Sequence, residues 1–339
     1  MESGPLTEAI QATKKLSWEN VVYTNQAWET PFLSLLKRDK KPVQKEMNWP
    51  VMNRSASGYG GTMDSADVDS FTNQNRDSLK SVCQWFRESW MVSHFADLTT
   101  SWGVKDEAKF QAKEALMRLK MQIEQALLSN MDCAAESGVD QPNETRGAFM
   151  WLENDATAIS TEYPIGANYL VSSACEYTGA VASFTDDELE DMLIAASNQM
   201  KKARTWDAQV SLDLKAQMDS YTQHDPDATT TNASLKSFVQ NASDKSFLKQ
   251  VDFFQFSPGI VRTHINYNLY CAKADGAASA YSPKSGLFLD MDQWKIAFMA
   301  GVASHRLENR GGGPRGFHDA TLGLKCLMPR GQAVVVSNS

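Results

Sequence analysis

The segment that most constrains the fold lies between residues 104 and 130. Its apolar residues recur at spacings of three and four, which places them along one face of a helix. These residues are Ala108, Ala112, Ala115, Leu119, Ile123 and Ala126. Gly and Pro are absent from the segment, and at a rise of about 1.5 Å per residue the helix would be roughly 40 Å long. We therefore predict one long, rigid helix against which other elements pack.

A long two-stranded hairpin is predicted before this helix. Residues 43–53 alternate between apolar and polar side chains, and a return strand with a similar pattern spans about residues 79–95. The connection between them is small, polar and rich in glycine, which is typical of a flexible tip. Because an isolated hairpin of this length is only marginally stable, its three tryptophans need a surface to lie on. A neighbouring subunit is the natural candidate.

After the long helix the pattern changes to mixed helix and strand. Thr185, with a glutamate three residues later, predicts a capped helix start. Strict alternation predicts a strand over residues 261–269. A flexible, glycine-rich loop is predicted at residues 310–316, followed by two short strands at 321–326 and 332–336.

Composition and charge exclude several classes of protein. Hydrophobic residues make up 42% and charged residues 22% of the chain, which is typical of a packed globular protein. No run approaches the roughly 20 apolar residues of a membrane helix, and no secretory signal is visible. We therefore expect synthesis in a reducing cytoplasm, where the five separated cysteines are buried apolar residues rather than disulfides or zinc ligands. The net charge of -8 argues against a dedicated nucleic-acid-binding surface.

Familiar catalytic motifs are missing from the sequence. It has no phosphate-binding loop, no dinucleotide-binding glycine pattern and no nucleophile elbow. Two acid pairs, Asp67 with Asp69 and Asp290 with Asp292, have a spacing that can hold a divalent metal. Such pairs are common, and we expect no metal site at either. The expectation is a protein without enzymatic activity and without a cofactor.

Several segments, taken in their order along the chain, resemble one known family. They are ETPFLSLLKRD, EMNWPVM, WMVSHFADLTT, GVKDEAKFQAKEALMRLKMQIEQALLSN, RGAFMWLE, FTDDELEDMLIAA and the C-terminal stretch from SGLFLDMDQW to RGQAVV. Their order resembles a branch of the tailed-phage major capsid proteins with the Hong Kong 97-type fold, and the resemblance runs through most of the chain.

The resemblance implies an α+β capsid fold made of five stretches. They are an N-terminal arm at 1–42, an extended hairpin loop at 43–97, a peripheral domain with the long spine helix at 98–149, an axial domain at 150–285 and a return to the peripheral domain at 286–339. It also implies a major capsid protein, located in the virion and made in the host cytoplasm. Copies of such a protein assemble into pentamers and hexamers that form the icosahedral head shell around double-stranded DNA.

The resemblance also implies partners besides further copies of the chain. A portal protein would occupy one vertex, packaged DNA would lie inside by proximity rather than by sequence-specific binding, and a decoration protein could cover the shell. Some relatives carry a long N-terminal scaffold segment, whereas only about forty residues precede the hairpin here, so we expect a separate scaffold protein. Others cross-link covalently through a lysine on the extended loop. Residues 53–79 contain no lysine, so we expect a shell without covalent links.

Two alternatives to the phage capsid stay open at this point. A cellular nanocompartment shell shares the fold but encloses an enzyme, and a soluble enzyme with a scattered site would be a monomer or a small oligomer. Within the capsid interpretation, we predict contacts between copies in the arm and the hairpin. The predicted contact residues are Trp18, Trp28, Phe32, Trp49, Tyr59 and Trp85. Packing in the core of its own subunit is the alternative for each tryptophan.

Overall fold

The computed structural model describes residues 29–54, 60–64, 67, 71, 73–99, 104–138, 141–221, 251–269 and 284–336. The helices are α1 (Pro31–Leu35), α2 (His94–Leu98), α3 (Glu107–Leu127), α4 (Ala148–Trp151), α5 (Asp186–Met200) and α6 (Leu212–Ser220). The first six strands are β1 (Lys37–Arg38), β2 (Glu46–Val51), β3 (Asp77–Val82), β4 (Gln84–Met91), β5 (Glu176–Tyr177) and β6 (Arg204–Val210). The others are β7 (Phe253–Phe256), β8 (Gly259–Ile265), β9 (Ser285–Leu289), β10 (Trp294–Leu307), β11 (Arg315–Cys326) and β12 (Ala333–Val336).

The chain divides into two compact units. The large unit contains Glu29–Arg87, Leu119–Ala303 and Asp319–Ser339. The small unit contains Met1–Trp28, which lies outside the described residues, together with Glu88–Arg118 and Ser304–His318. Four elements begin in one unit and end in the other, namely α3, β4, β10 and β11.

A six-stranded mixed sheet forms the centre of the large unit, in the order β5, β12, β9, β6, β8, β7. β6 runs parallel to β8 and antiparallel to β9. β9 and β12 are buried along their whole length, which explains why residues 287–289 and 333–336 are continuous apolar runs rather than alternating ones. α5 packs on β12 and α6 packs on β8. Trp206, Ala208 and Val210 of β6 are fully buried in the resulting core.

The start of α5 confirms the capping prediction. The Thr185 side chain accepts a hydrogen bond from the Glu188 backbone N–H at 3.3 Å. Phe184 and Leu189, on either side of this cap, are fully buried, as a hydrophobic staple requires. Lys201, directly after the last helical residue, has φ of 53° in the left-handed region.

The long helix predicted from the apolar stripe is α3, with 21 residues. Ala115, Leu119 and Ile123 are buried, and the polar residues between them face outward. The prediction of a long helix with one apolar face is therefore confirmed, with ends three residues inside the predicted ones.

The predicted hairpin is shorter than the sequence indicated. β2 pairs antiparallel with β3, from Glu46 opposite Val82 to Val51 opposite Asp77. β4, which the sequence assigned to the same return strand, instead joins a four-stranded sheet in the order β1, β10, β11, β4. The change of sheet occurs at Cys83, whose backbone N–H donates to the Lys45 carbonyl at 2.8 Å. An alternating pattern in the sequence cannot show this change. It predicts that a segment is a strand, but not which other strand pairs with it.

The C-terminal strands are longer than predicted. β10 has 14 residues and β11 has 12, whereas the sequence indicated only residues 321–326 for the latter. The second half of β10 is largely exposed and contains Ser304, His305 and Arg306. Because both faces of that segment tolerate polar residues, its sequence lacks the apolar alternation on which the prediction relied.

In the small unit, the turn between β10 and β11 lies against the end of β4. The Val92 backbone N–H donates to the Pro314 carbonyl at 3.0 Å. Gly313 has φ of 108°, and a Cβ added there would lie 2.2 Å from the Val92 carbonyl oxygen. Only glycine fits this close approach. The glycine-rich loop at 310–316 is therefore a packed turn that ends where β11 begins at Arg315.

Candidate assembly surfaces

The acid pair at the end of β9 is structural. The Asp290 carboxylate forms a buried ion pair with Arg204 at the start of β6, and Asp292 accepts a hydrogen bond from Lys37 Nζ at 2.6 Å. Of the second pair, Asp69 lies outside the described residues. In the described ranges, no cluster of three or more His, Cys, Asp or Glu side chains could hold a metal ion.

Four cysteines are buried thiols, as predicted, and Cys271 lies outside the described residues. Burial raises the pKa of Cys83 to about 11 and that of Cys133 to about 12. It also raises the pKa of Cys175 to about 11. Because the thiolate is the nucleophilic form, these side chains stay protonated and unreactive at neutral pH.

A buried carboxylate on α3 anchors the first described helix of the chain. Glu124 is fully buried, and its two oxygens accept hydrogen bonds from the backbone N–H groups of Phe32 at 2.8 Å and Leu33 at 2.7 Å. The Asn266 side chain donates a third at 3.0 Å. These contacts satisfy N–H groups that a helix start leaves without an intrahelical partner. Burial raises the Glu124 pKa, against the opposing effect of these three donors.

Two of the predicted contact residues lie in the core of the large unit. Phe32 is fully buried and meets the Trp294 ring edge-on, with 6.2 Å between ring centroids. Trp49 is 5% exposed and packs on Trp151 at 5.7 Å, with Lys325 Nζ 5.2 Å from its ring centre. Own-subunit packing, the alternative left open for Trp49, describes this side chain in the single chain, and Phe32 is buried in the same way.

Trp85 is the one predicted contact residue that the described structure presents at the surface. Its side chain is 55% exposed. The indole Nε1 donates to Asp319 Oδ2 at 3.2 Å, and the Arg87 guanidinium lies 5.0 Å from the ring centre. These contacts hold the ring in place while leaving much of its face uncovered. Trp18, Trp28 and Tyr59 lie outside the described residues.

The small unit presents a second apolar surface, which the sequence reasoning missed. Phe95 and Leu98 lie one turn apart on α2, and they are 79% and 68% exposed. Met91, at the end of β4, and Leu307, at the end of β10, are also about half exposed. The signal for α2 was present in the sequence, since Ser93 caps the helix by accepting from the Ala96 N–H at 3.3 Å. Because the sequence analysis predicted a single strand over about residues 79–95, it missed this helix.

In the described part of the chain, no helix has both the length and the apolar character needed to span a bilayer. Comparison of the sequence with known families gives a match over residues 6–338 to the family described as SU10 major capsid protein.

The chain belongs to the SU10 major capsid protein family. As a major capsid protein it is a component of the phage virion shell, which favours the phage capsid over both alternatives, the nanocompartment and the soluble enzyme. No curated protein matches the sequence.

Solved phage capsids have the same fold as this capsid protein at low sequence identity. The capsid of cyanophage Pam1 is 12% identical, with a TM-score of 0.62, and the match covers 99% of this chain and 98% of that one. The capsid of a native GTA particle is 9% identical, with a TM-score of 0.64 and 98% of each chain covered. The cyanophage P-SCSP1u capsid is 10% identical, with a TM-score of 0.59, and covers 97% of this chain and 95% of that one. The α+β capsid fold is thus confirmed.

Proposed function

We propose that copies of this capsid protein assemble into pentamers and hexamers, and that these close into an icosahedral head shell around double-stranded phage DNA. Membership of a major capsid protein family over residues 6–338 is the observation that carries the proposal. The role is structural, and we propose no enzymatic activity. The acidic character of the chain, with a net charge of -8, suits a wall that holds packed DNA without binding it tightly.

We propose that the five stretches named above have different roles in the shell. The arm at 1–42 ends in the segment that Glu124 anchors, and the hairpin loop at 43–97 starts from the β2–β3 pairing. The stretches at 98–149 and 286–339 would form the peripheral domain, and the stretch at 150–285 would form the axial domain. One chain must fit several slightly different environments in a closed shell, so a rigid core with adaptable extensions is expected.

Contacts between copies are proposed at the two exposed apolar features. Trp85 is held in position by Asp319 and Arg87, so little conformational entropy is lost when a neighbour covers it. Phe95 and Leu98 present a contiguous apolar pair on α2. Exposed aromatic and large apolar side chains of this kind commonly mark protein–protein interfaces. Trp18, Trp28 and Tyr59, which lie outside the described residues, stay predicted contacts.

The proposed partners beyond the shell itself are those of a phage head. A separate scaffold protein would guide assembly, a portal protein would occupy one vertex, and a decoration protein could bind the outer surface. DNA would lie inside by proximity, without sequence-specific contacts.

The assembly proposal is tested by electron microscopy of the purified chain, with and without a candidate scaffold protein, together with light scattering. The expected result is closed polyhedral particles, with DNA inside particles isolated from infected cells. A monomer or dimer at every concentration and salt, with the scaffold candidate present, would contradict the proposal.

The absence of covalent links is tested on the same particles after denaturation. Because residues 53–79 offer no lysine, every subunit should migrate as a single band at the position of one unlinked chain. A ladder of joined subunits that survives boiling and reduction would contradict this expectation.

A further inference from the structure

The densest run of basic residues in the chain is KRDKKPVQK, at residues 37–45. It contains five cations and one aspartate, in a protein whose net charge is -8. The run begins with β1 and ends directly before β2, so strands hold both of its ends. Its position is therefore fixed by the fold of the large unit.

This basic run forms part of a groove of about 390 Å³ in the large unit. Lys40, Val43 and Gln44 of the run line the groove, together with Ala297 of β10 and Lys325 of β11. Because β10 and β11 are neighbours in one sheet, the second part of the lining is rigid. We call this feature the basic groove.

Four of the five cations in the run are available to a ligand. Three are exposed and form no ion pair with a carboxylate in the described part of the chain, namely Lys40, Lys41 and Lys45. Arg38 is also exposed, with its guanidinium carbon 5.0 Å from the centre of the Phe298 ring. Lys37 differs, because its Nζ lies 2.6 Å from the Asp292 carboxylate.

The acids of the basic groove do not cancel this charge. Asp39 lies between two further lysines, with Lys325 Nζ at 2.7 Å and Lys295 Nζ at 3.6 Å from its carboxylate oxygens. Burial would raise the Asp39 pKa, but the hydrogen bond from Lys325 and the nearby positive charges lower it. Glu46, the other acid in the lining, accepts a hydrogen bond from the Tyr163 hydroxyl at 3.3 Å. These two carboxylates lie among six cations, which are Arg38, Lys40, Lys41, Lys45, Lys295 and Lys325.

The chemistry of the lining favours phosphate groups as the ligand. A lysine ammonium binds phosphate as a point charge, without the planar fork with which arginine reads a base edge. None of the described residues that line the groove is aromatic, so it offers no ring on which an unpaired base could stack. It also lacks the large aromatic side chain that commonly anchors a protein partner. These features suit the backbone of a duplex, contacted without regard to sequence.

We propose that the basic groove and the exposed lysines beside it bind the phosphate backbone of double-stranded DNA, and that the acidic shell touches its packaged DNA there. This inference rests on the proposed function, because it requires the shell to enclose DNA. Phosphate contacts of this kind are sequence-independent and sensitive to salt. They would position the DNA nearest the wall, while the acidic remainder of the chain repels it.

Binding of a short fluorescent DNA duplex to the unassembled full-length chain is the first test, since it does not depend on shell formation. Lys40→Gln with Lys41→Gln and Lys45→Gln should weaken binding at low ionic strength by at least about tenfold. The slope of the logarithm of the binding constant against the logarithm of salt concentration should also fall by about 2 to 3, because each lost phosphate contact removes about 0.9. No detectable binding by the wild type at low salt would overturn the proposal.

A matched control separates the basic groove from net charge. Lys105→Gln with Lys113→Gln and Lys120→Gln removes the same charge from three exposed lysines on or just before α3. This control variant should bind the duplex nearly as the wild type does, and circular dichroism with urea unfolding checks that both triple variants fold. Equal weakening in the two variants would show that binding follows net charge alone, and would overturn the assignment of the groove.

Formaldehyde cross-linking in DNA-filled particles from infected cells identifies the occupant. After nuclease and protease digestion, mass spectrometry should find nucleotide adducts on the three groove lysines more often than on the three control lysines. Links from the groove lysines to a protein in place of nucleotides would overturn DNA as the occupant and assign an acidic protein segment instead. Absence of closed, DNA-filled particles would count against the proposed function, whereas the solution measurement tests the groove by itself.

Discussion

The two compact units of this capsid protein differ in how they treat their apolar residues. The large unit buries a continuous core that runs from Phe32 to Val336 and contains whole strands such as β9 and β12. Among the described residues of the small unit, the buried apolar side chains are Val92, Ala108 and Ala115, and none belongs to that core. Four of its large apolar residues, Met91, Phe95, Leu98 and Leu307, are exposed. We infer that the large unit is stabilised by its own chain, whereas the small unit is completed by other copies.

The largest expected difference in the free energy of unfolding is between substitutions of two leucines, one on a helix of each unit. Leu193→Ala on α5 removes a fully buried side chain and should lower the free energy of unfolding by about 3 kcal/mol. Leu98→Ala on α2 removes an exposed one and should change it by less than about 0.5 kcal/mol. Urea unfolding of unassembled protein measures both values. Equal losses of unfolding free energy for the two variants would contradict the inferred difference between the units.

The two units should also differ in how much their ion pairs contribute to the free energy of unfolding. In the large unit, Lys215 and Asp219 are 2.6 Å apart and nearly buried, so Asp219→Ala leaves a buried ammonium and should cost about 3 kcal/mol. In the small unit, Glu88 and Arg118 are 2.8 Å apart and partly exposed, so Glu88→Ala should cost less than about 1 kcal/mol. The same unfolding measurement compares them. A larger loss for Glu88→Ala would show that the small unit depends on its internal contacts.

Substitutions in the small unit should affect assembly more than substitutions in the large unit, which is the reverse of their expected effects on the free energy of unfolding. Phe95→Ser with Leu98→Ser should leave the unfolding free energy of the unassembled chain nearly unchanged, yet raise the concentration needed for shell formation by about tenfold. Ile194→Ser with Leu212→Ser is the control, because both side chains are exposed in the large unit, on α5 and α6, outside the arm and the hairpin loop. Light scattering against concentration gives the threshold. A double variant that assembles as the wild type does would exclude α2 from the interface.

The smallest expected effect concerns pH and the Glu124 anchor. Burial raises the Glu124 pKa in the folded chain above its unfolded value, so the folded state favours the protonated form. Its stabilising contribution is therefore complete below the unfolded pKa and declines as pH rises through the folded pKa. Thermal unfolding from pH 4 upward should show the wild type losing stability relative to Glu124→Gln. A difference that does not change with pH would mean that burial does not control this carboxyl.

Local patterns in the sequence were sufficient to predict two helices. One is α3, which belongs partly to each unit, and the other is α5, which belongs to the large unit. The apolar stripe of α3 and the Thr185 cap of α5 both depend on neighbours within four residues, and both were predicted. The α+β capsid fold was implied by the family resemblance and not by local patterns, which predict single elements but not how they pack.

Long-range pairing explains most of what the sequence reasoning missed. β4 leaves the hairpin to join β11, more than 200 residues further along the chain, and alternation alone cannot name that partner. Trp49 is buried because Trp151 lies against it, which its own strand does not show. Exposed apolar residues such as Phe95 also escape detection when they sit in a short helix.

Hydrogen–deuterium exchange, compared between the unassembled chain and the closed shell, tests the central claim most directly. If other copies complete the small unit, amides in residues 88–98 and 304–318 should exchange at least about tenfold more slowly in the shell, while those in β6 and β9 should be slow in both states. Protection of the small unit that is already complete before assembly would contradict the account.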